Sequence, residues 1–408
     1  MKILKLSSYC YPEQIASSHL AKDINEAYEK AGIVCEIHTP TPTRGIDKAT
    51  REKYKKIKYE ELNNGYVQIH RFSMFAEPKN SLLRAFRYTL CIICNFFNGL
   101  RAKDIDVYYA SSTPPINGLI MALLKKFKKF KIVYNLQDIF PDSLVNTGMT
   151  KKGSLIWKIG AWIENVTYNA ADKIIVISNS MKQNILDKGV PEEKIEVISN
   201  WIDTDVVKPV HKEENKLFDE FQIPKDKFIV LYAGNMGAAQ GTEVILEAAE
   251  RLKDNQDIQF VIFGGGSGLD SAKKTVKEKA LKNVIINGLL PQNRVSEVYS
   301  LGDVAIITCK KGSGTSAMPS KTWTIMACGT PIIASFDRGS ELEWIIVENN
   351  CGVCVDAADN FSLKEAILKL YNSRRSINKL GNCGRAFVLK NISKDVSTAK
   401  IIDVLRNI

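Results

Sequence analysis

Two stretches in the second half of the chain place glycines where backbone could hold an anion. YAGNMGAAQG (232–241) follows a strand-like run and precedes the helix-like TEVILEAAERL. Gly234, Gly237 and Gly241 permit a tight turn and close approach to a ligand, and free N–H groups at the next helix start suit a phosphate. The G-x-x-G spacing of Gly234 and Gly237 differs from the G-x-G-x-x-G dinucleotide fingerprint. FGGGSG (263–268) is a second turn of this kind, with Gly264 and Gly266 as contact points. A flexible loop after a strand explains it equally well.

GTSAMPSKTWTIMACGTPIIAS (314–335) adds a cation. Pro319 suits the first helical position and Gly329 the helix end. The N–H groups of Ser320, Lys321 and Thr322 would then lack intrahelical partners and face an anion together with the Lys321 ammonium. Lys310 and Lys311 follow the strand-like DVAIIT on the same rim. A capped helix with a solvent-facing lysine is the alternative.

In the first half, QDIFPDS (137–143) directly follows the strand-like KIVYN. A carboxylate at the carboxyl end of a parallel strand faces the ligand crevice, so Asp138 is a candidate for contacting the hydroxyls of a ligand; a turn or cap role is the alternative. Gln137 stands beside it. The four His, at 19, 38, 70 and 211, do not cluster, and only His19, just past the first strand, is placed near the crevice. Asp203-Thr-Asp205 has the look of a metal-binding D-x-D but sits outside any core strand. Cys91/Cys94 and Cys351/Cys354 lack neighbouring His ligands and read as packing. No metal and no cofactor is expected.

Strand-like and helix-like runs alternate from end to end, and the strand-like runs are nearly continuous in apolar residues, as in parallel sheets covered on both faces. The first half offers KILKLS (2–7), VCEIH (34–38), VQIHR (67–71), DVYYAS (106–111), KIVYN (131–135), KIIVIS (173–178) and IEVI (195–198). The second offers FIVLYA (228–233), IQFVIF (258–263), VIIN (284–287), DVAIIT (303–308), PIIAS (331–335) and GVCV (352–355). The expected fold is α/β, two doubly wound Rossmann-like domains facing across a cleft. The domains are placed at 1–205 and 228–385, joined by a polar linker at 206–227, with C-terminal helices at 386–408.

At 408 residues the chain suits two domains. It has no sustained apolar leader and no run of 18 apolar residues, so a cytoplasmic protein is expected, with peripheral contact to the inner face of the plasma membrane. Nine Cys, an odd number, fit a reducing compartment. The net charge is +11, and residues 1–208 carry 30 Lys and Arg against 22 Asp and Glu. That excess suits an anionic partner. KKFKKFK (125–131) and the stripe Leu82, Phe86, Leu90 and Ile93 point to an anionic membrane or a lipid-linked acceptor; a buried helix beside a solvated basic loop is the alternative.

Taken together, the segments resemble glycosyltransferase family 4 of the GT-B fold. The landmarks are Y-x-G-N-x-G at 232–237, N-G-L-L-P (287–291) with Tyr299 and Gly302-Asp303, and M-A-C-G-T-P (326–331). AADKIIVISNSMKQNI (170–185) and KIEVISNWID (194–203) agree in the first half. SSYCYPEQIASSHL, QDIFPDS and MPSKTWT look most like bacterial surface-polysaccharide transferases, including L-fucosaminyl ones. The resemblance implies a retaining, metal-independent transfer from a nucleotide-sugar held by the C-terminal domain. The acceptor, a glycan or a polyprenyl-diphosphate-linked one, would sit on the N-terminal domain, and the last helix would cross back to it. It also implies a uridine-based donor, with the base near Gly288–Leu290.

The sequence departs from the family pattern at charged positions. Asn235 and Gln240 stand where Arg and Lys are usual, Ser316 and Thr324 where two Glu are usual, and Gln137 where a His often precedes the Asp. Leaving-group charge would fall to the N–H groups around Ser320–Thr322, the Gly237 turn, and Lys310, Lys311 or Lys321. Gln137 and Asp138 would orient the sugar. The competing readings are a nucleotide-sugar epimerase or dehydrogenase and a non-catalytic sugar-binding protein. The first lacks its N-terminal G-x-G-x-x-G, the second an export signal. Nucleic-acid binding finds no interleaved aromatic and basic residues beyond KKFKKFK.

Overall fold

The computed structural model describes residues 1–14, 18–78, 80–146, 149–314 and 318–408. These form two compact units, Met1–Ser199 with Ser397–Ile408, and Asn200–Val396.

The N-terminal unit holds β1 (Lys2–Leu6), β2 (Val34–Pro40), β3 (Tyr59–Leu62), β4 (Val67–Phe72), β5 (Val107–Ser111), β6 (Lys131–Leu136), β7 (Lys173–Val176) and β8 (Ile195–Val197). The sheet order is β3-β4-β2-β1-β5-β6-β7-β8. Every pairing is parallel except β3, which runs antiparallel to β4. The seven parallel strands are those read from apolar runs. β3 escapes that reading because YEEL lies on the sheet edge and needs no apolar run of its own. Leu4, Tyr108, Ile132 and Ile174, all fully buried, form the core on one face. Each such side chain stabilises the unit by about 1.5–3 kcal/mol.

The C-terminal unit holds β9 (Phe228–Asn235), β10 (Ile258–Gly265), β11 (Val284–Gly288), β12 (Val304–Thr308), β13 (Ile332–Phe336) and β14 (Gly352–Asp356). The order is β11-β10-β9-β12-β13-β14, all parallel. Connections run one way from β9 to β11 and the other way from β12 to β14. The reversal between β9 and β12 leaves an opening at the carboxyl ends of those strands, the usual ligand position in open α/β sheets.

Residues 206–227 do more than connect. Val207, Leu217, Phe218 and Ile223 are buried in the C-terminal core, and Leu217–Glu220 is a short helix. The polar composition of the stretch hides four apolar anchors too widely spaced to read as an element. At the other end, the helix Asn378–Asn391 belongs to the C-terminal unit, while Ser397–Ile408, most of the helix Lys394–Arg406, belongs to the N-terminal one. Arg406 donates to the carbonyl of Ala31 at 2.9 Å.

Candidate active site

In the C-terminal unit, three strands carry glycine in one register row at or next to their carboxyl ends. Gly234 of β9 pairs with Gly264 of β10, which pairs with Gly288 of β11. The carboxyl edge of the sheet is therefore stripped of side chains beside the reversal. Gly288 has open space where a Cβ would stand, whereas the sulfur of Met236 sits against Gly264.

The loop after β9 is held from both sides. Met236 N–H donates to Gly265 O at 2.6 Å, Gly268 N–H to Met236 O at 2.9 Å, and Lys310 N–H to Ala239 O at 2.9 Å. Gly237 precedes a 3-10 turn, Ala238–Gln240, and Gly241 closes it in the left-handed region at φ 55°, where a Cβ would lie 2.8 Å from Cys309 O. The loop thus spans the opening between β9 and β12. Across Gly237, Asn235 Nδ2 donates to Gln240 Oε1 at 3.3 Å, and the side-chain oxygen Oδ1 of Asn235 packs against Gly266. Two uncharged side chains are joined to each other where the resemblance would put two cations.

The cation lies instead on Lys321. Its Nζ stands 4.2 Å from the ring centre of Tyr232, and a Cβ on Gly234 would come within 2.6 Å of it. Gly234 has φ 138°, which a side chain would strain as well. Tyr232 is buried and donates its hydroxyl to Asn235 O at 2.5 Å, so the ring is fixed as a platform. Among the described residues the Lys321 ammonium has no hydrogen-bond or ion-pair partner. Burial pulls its pKa down from 10.5 to about 8. An anion beside it would reverse that shift.

The surrounding residues refine the expectation. The helix begins at Lys321 and ends at Ala327, two residues later than Pro319 would have started it. Thr322 N–H donates to Pro319 O at 3.0 Å and the Thr322 side chain is fully buried, so this residue offers nothing to a ligand. The tight turn at Pro319 consumes that donor. Ser320 is exposed and Thr324 half-buried; Ser316 lies outside the described residues. Lys310 and Lys311 are exposed on a loop that Asp337 pins by accepting from Gly312 N–H at 2.9 Å and Gly314 N–H at 2.7 Å. Leu290 packs on the core near the free end of β11.

In the N-terminal unit, Gln137 leaves β6 with its N–H on Ser112 Oγ at 2.9 Å and its Nε2 on Asn135 Oδ1 at 2.8 Å. Asp138 is exposed and has no hydrogen-bond or ion-pair partner among the described residues, so it is not spent on a cap. It lines a small cavity with Tyr134, Phe140, Glu164, Thr167 and Tyr168. Glu164 accepts from Lys188 at 2.7 Å and from the Tyr168 hydroxyl at 2.9 Å, and burial pushes its pKa up. Lys188 also holds Asp142 at 2.8 Å, which ties the QDIFPDS loop to the helix Leu155–Ala170. His19 is the exposed second residue of the helix Ser18–Ala31. Asp203 is engaged elsewhere: it accepts from the N–H of Asp205 and Val206 and pairs with Lys394 at 2.8 Å. Cys91 and Cys351 are buried, which pushes both thiols up to about 11.

Sequence reasoning missed Tyr232 as a platform, Gly288 as the third glycine of the row, Asp337, and the Glu164–Lys188 pair. Asp337 carried the same signal as Asp138, a carboxylate directly after a parallel strand.

Comparison with known proteins decides the family. Residues 20–206 match the model described as Glycosyltransferase Family 4, and residues 213–387 the one described as Glycosyl transferases group 1. The chain belongs to these glycosyltransferases. The enzyme is 29% identical to "Probable glycosyltransferase WbjE" of Pseudomonas aeruginosa over 308 residues, 75% of this chain and 76% of that one. It is 28% identical to WcaI of Escherichia coli (strain K12), a protein named for colanic acid biosynthesis, over 54% of this chain and 55% of that one. Its fold is that of GT-B enzymes. Sucrose-phosphate synthase from Thermosynechococcus elongatus superposes with a TM-score of 0.75 at 16% identity, covering 99% of this chain and 98% of that one. Anabaena Alr3699/HepE, solved with UDP and glucose, gives 0.71 at 15% identity over the full length of both.

Proposed function

We propose that this glycosyltransferase moves a hexosyl or N-acetylhexosaminyl group, with retention of configuration, from a UDP-sugar to a glycan or polyprenyl-diphosphate-linked acceptor. The transfer would build a surface polysaccharide such as a capsule or O-antigen at the cytoplasmic side of the membrane. Nine free thiols fit that compartment. The nucleotide-sugar is the co-substrate, and no resident cofactor is invoked.

The observation that carries the reading is the Lys321 ammonium beside Gly234, uncompensated among the described residues, at the strand-order reversal of the C-terminal sheet. A partly buried cation without a counter-ion is poised for one, and a nucleoside diphosphate supplies two negative charges. When the bond from the anomeric carbon to the diphosphate oxygen breaks, further charge develops on that oxygen. In this reading the Lys321 ammonium and the N–H groups of Ser320 and Lys321 receive it. The glycine row offers backbone and open space for the sugar and nucleoside, with Leu290 as apolar contact. On the N-terminal unit, Asp138 presents a carboxylate to an acceptor hydroxyl, with Gln137 and His19 as further polar contacts. The fold neighbour HepE, solved in complex with UDP and glucose, supports the donor class, and the naming of WcaI supports the pathway.

A screen of UDP-, GDP- and dTDP-linked sugars, read as nucleotide release with and without acceptor, tests this. UDP-sugar turnover is expected. Tighter calorimetric binding of GDP than of UDP would overturn the donor assignment.

A further inference from the structure

The helix Ser81–Arg101 is packed with its apolar stripe outward. Arg87, Cys91, Asn95 and Gly99 form the buried face, at every fourth position. Arg87 is fully buried and donates from Nε to Phe75 O at 3.0 Å, and Asn95 donates to Ser7 O. The opposite face shows Leu82 at 80% exposure, Phe86 at 55%, Ile93 at 46% and Phe97 at 49%. An isolated exposed apolar side chain needs no explanation; a stripe along a helix of this length does.

The stripe continues on neighbouring helices. Gly99 packs against Leu124 of the helix Asn117–Lys125, and Gly118 of that helix packs against Thr167 of the helix Leu155–Ala170. The three helices therefore stand side by side. Phe127, just past the middle one, is 66% exposed. The third shows Leu155, Ile156, Ile159 and Trp162, all more than half exposed.

Charge selects the occupant. Residues 80–103, 112–131 and 143–163 contain no Asp or Glu. They do contain Arg101, Lys126, Lys129, Lys151, Lys152 and Lys158, all exposed. A face with aromatic and aliphatic groups, fringed by cations and free of carboxylates, matches an anionic bilayer, where apolar groups enter the headgroup boundary and lysines meet lipid phosphates. A second copy of this chain would place this positive fringe against its own. Among the described residues no helix is long and apolar enough to cross a membrane, so the contact is interfacial.

We propose that the outer face of these three helices docks the enzyme on an anionic lipid surface, with Phe86, Ile93, Phe97 and Trp162 entering the headgroup region. This does not depend on the donor assignment. The test is co-sedimentation of the full chain with vesicles of phosphatidylcholine alone or mixed with phosphatidylglycerol. Binding is expected only to the mixed vesicles, reduced about fivefold or more when salt rises from about 50 mM to about 0.5 M. The triple variant Phe86→Ser, Ile93→Ser, Trp162→Ser should lose binding about tenfold while keeping its unfolding midpoint and its donor hydrolysis. Brominated lipids should quench Trp fluorescence in the wild type, and less in Trp162→Phe. Absence of binding at low salt, equal binding to neutral vesicles, or unchanged binding by the triple variant would each overturn the proposal. So would a dimer in light scattering that the triple variant dissociates, since a second copy would then own this face.

Discussion

The ammonium of Lys321 rests on the ring of Tyr232, 4.2 Å from its centre, and lies where a side chain on Gly234 would have to be. Three residues from two distant segments thus build one feature, a cation held at a bare strand end. Lys321→Ala removes the cation. A charge-assisted hydrogen bond to phosphate contributes about 1.5–3 kcal/mol. Turnover of the donor should fall about ten- to a hundredfold, with little change in binding of the free nucleoside. Steady-state kinetics and calorimetry on the folded variant check both statements, and wild-type turnover would contradict the assignment.

The same lysine sets a pH dependence. Its pKa in the free enzyme is about 8 against 10.5 in the unfolded chain. Between those values the unfolded state binds more protons, so stability rises with pH across that window. Nucleoside diphosphate binding should do the opposite and weaken above about pH 8, because the anion needs the protonated form. In Lys321→Ala both slopes should flatten. Calorimetric titration of UDP at a series of pH values, beside denaturant melts, gives the two readouts.

Gly234→Ala adds one carbon at a positive φ and at 2.6 Å from Lys321 Nζ. The strained backbone should cost about 1 kcal/mol or more, and the displaced lysine should weaken diphosphate binding about tenfold. Gly288→Ala, at the far end of the same register row, meets open space and should leave stability within about 0.5 kcal/mol. Melting points and UDP affinities of the two variants distinguish a shaped site from a generic loop.

Asp138→Asn removes a carboxylate that has no protein partner among the described residues. Stability should change by less than about 0.5 kcal/mol. Transfer to acceptor should drop about tenfold or more, with donor binding intact. A loss of stability instead of transfer would assign Asp138 to the fold.

Lys188→Met leaves Glu164 buried with only the Tyr168 hydroxyl to donate to it. Stripping a partner from a buried polar group costs about 1–3 kcal/mol. The pKa of Glu164 is already raised by burial. A carboxyl raised in the folded state favours folding at low pH and loses that contribution as pH climbs through its folded pKa. The variant should therefore be most destabilised near neutral pH, and adding Glu164→Gln should restore part of the loss. Urea unfolding at acid and neutral pH measures it.

Periodicity and local chemistry in the sequence were enough to determine thirteen parallel strands, their alternation with helices and hence the doubly wound class, because a strand buried on both faces must be apolar throughout. The glycine turns after β9 and β10 and the acid after β6 were legible for the same local reason: strand ends and tight turns restrict residue type. What only the tertiary structure decided was pairing between distant segments. Register across β9, β10 and β11 aligned Gly234, Gly264 and Gly288, although 54 residues separate the outer two. Packing put Lys321 on Tyr232 and turned the 81–101 helix so that Arg87 went in and Phe86 stayed out. An amphipathic stripe says that a helix has two faces. Which of them meets the core depends on the polar partners waiting there, here the carbonyls of Phe75 and Ser7, and no local pattern encodes those.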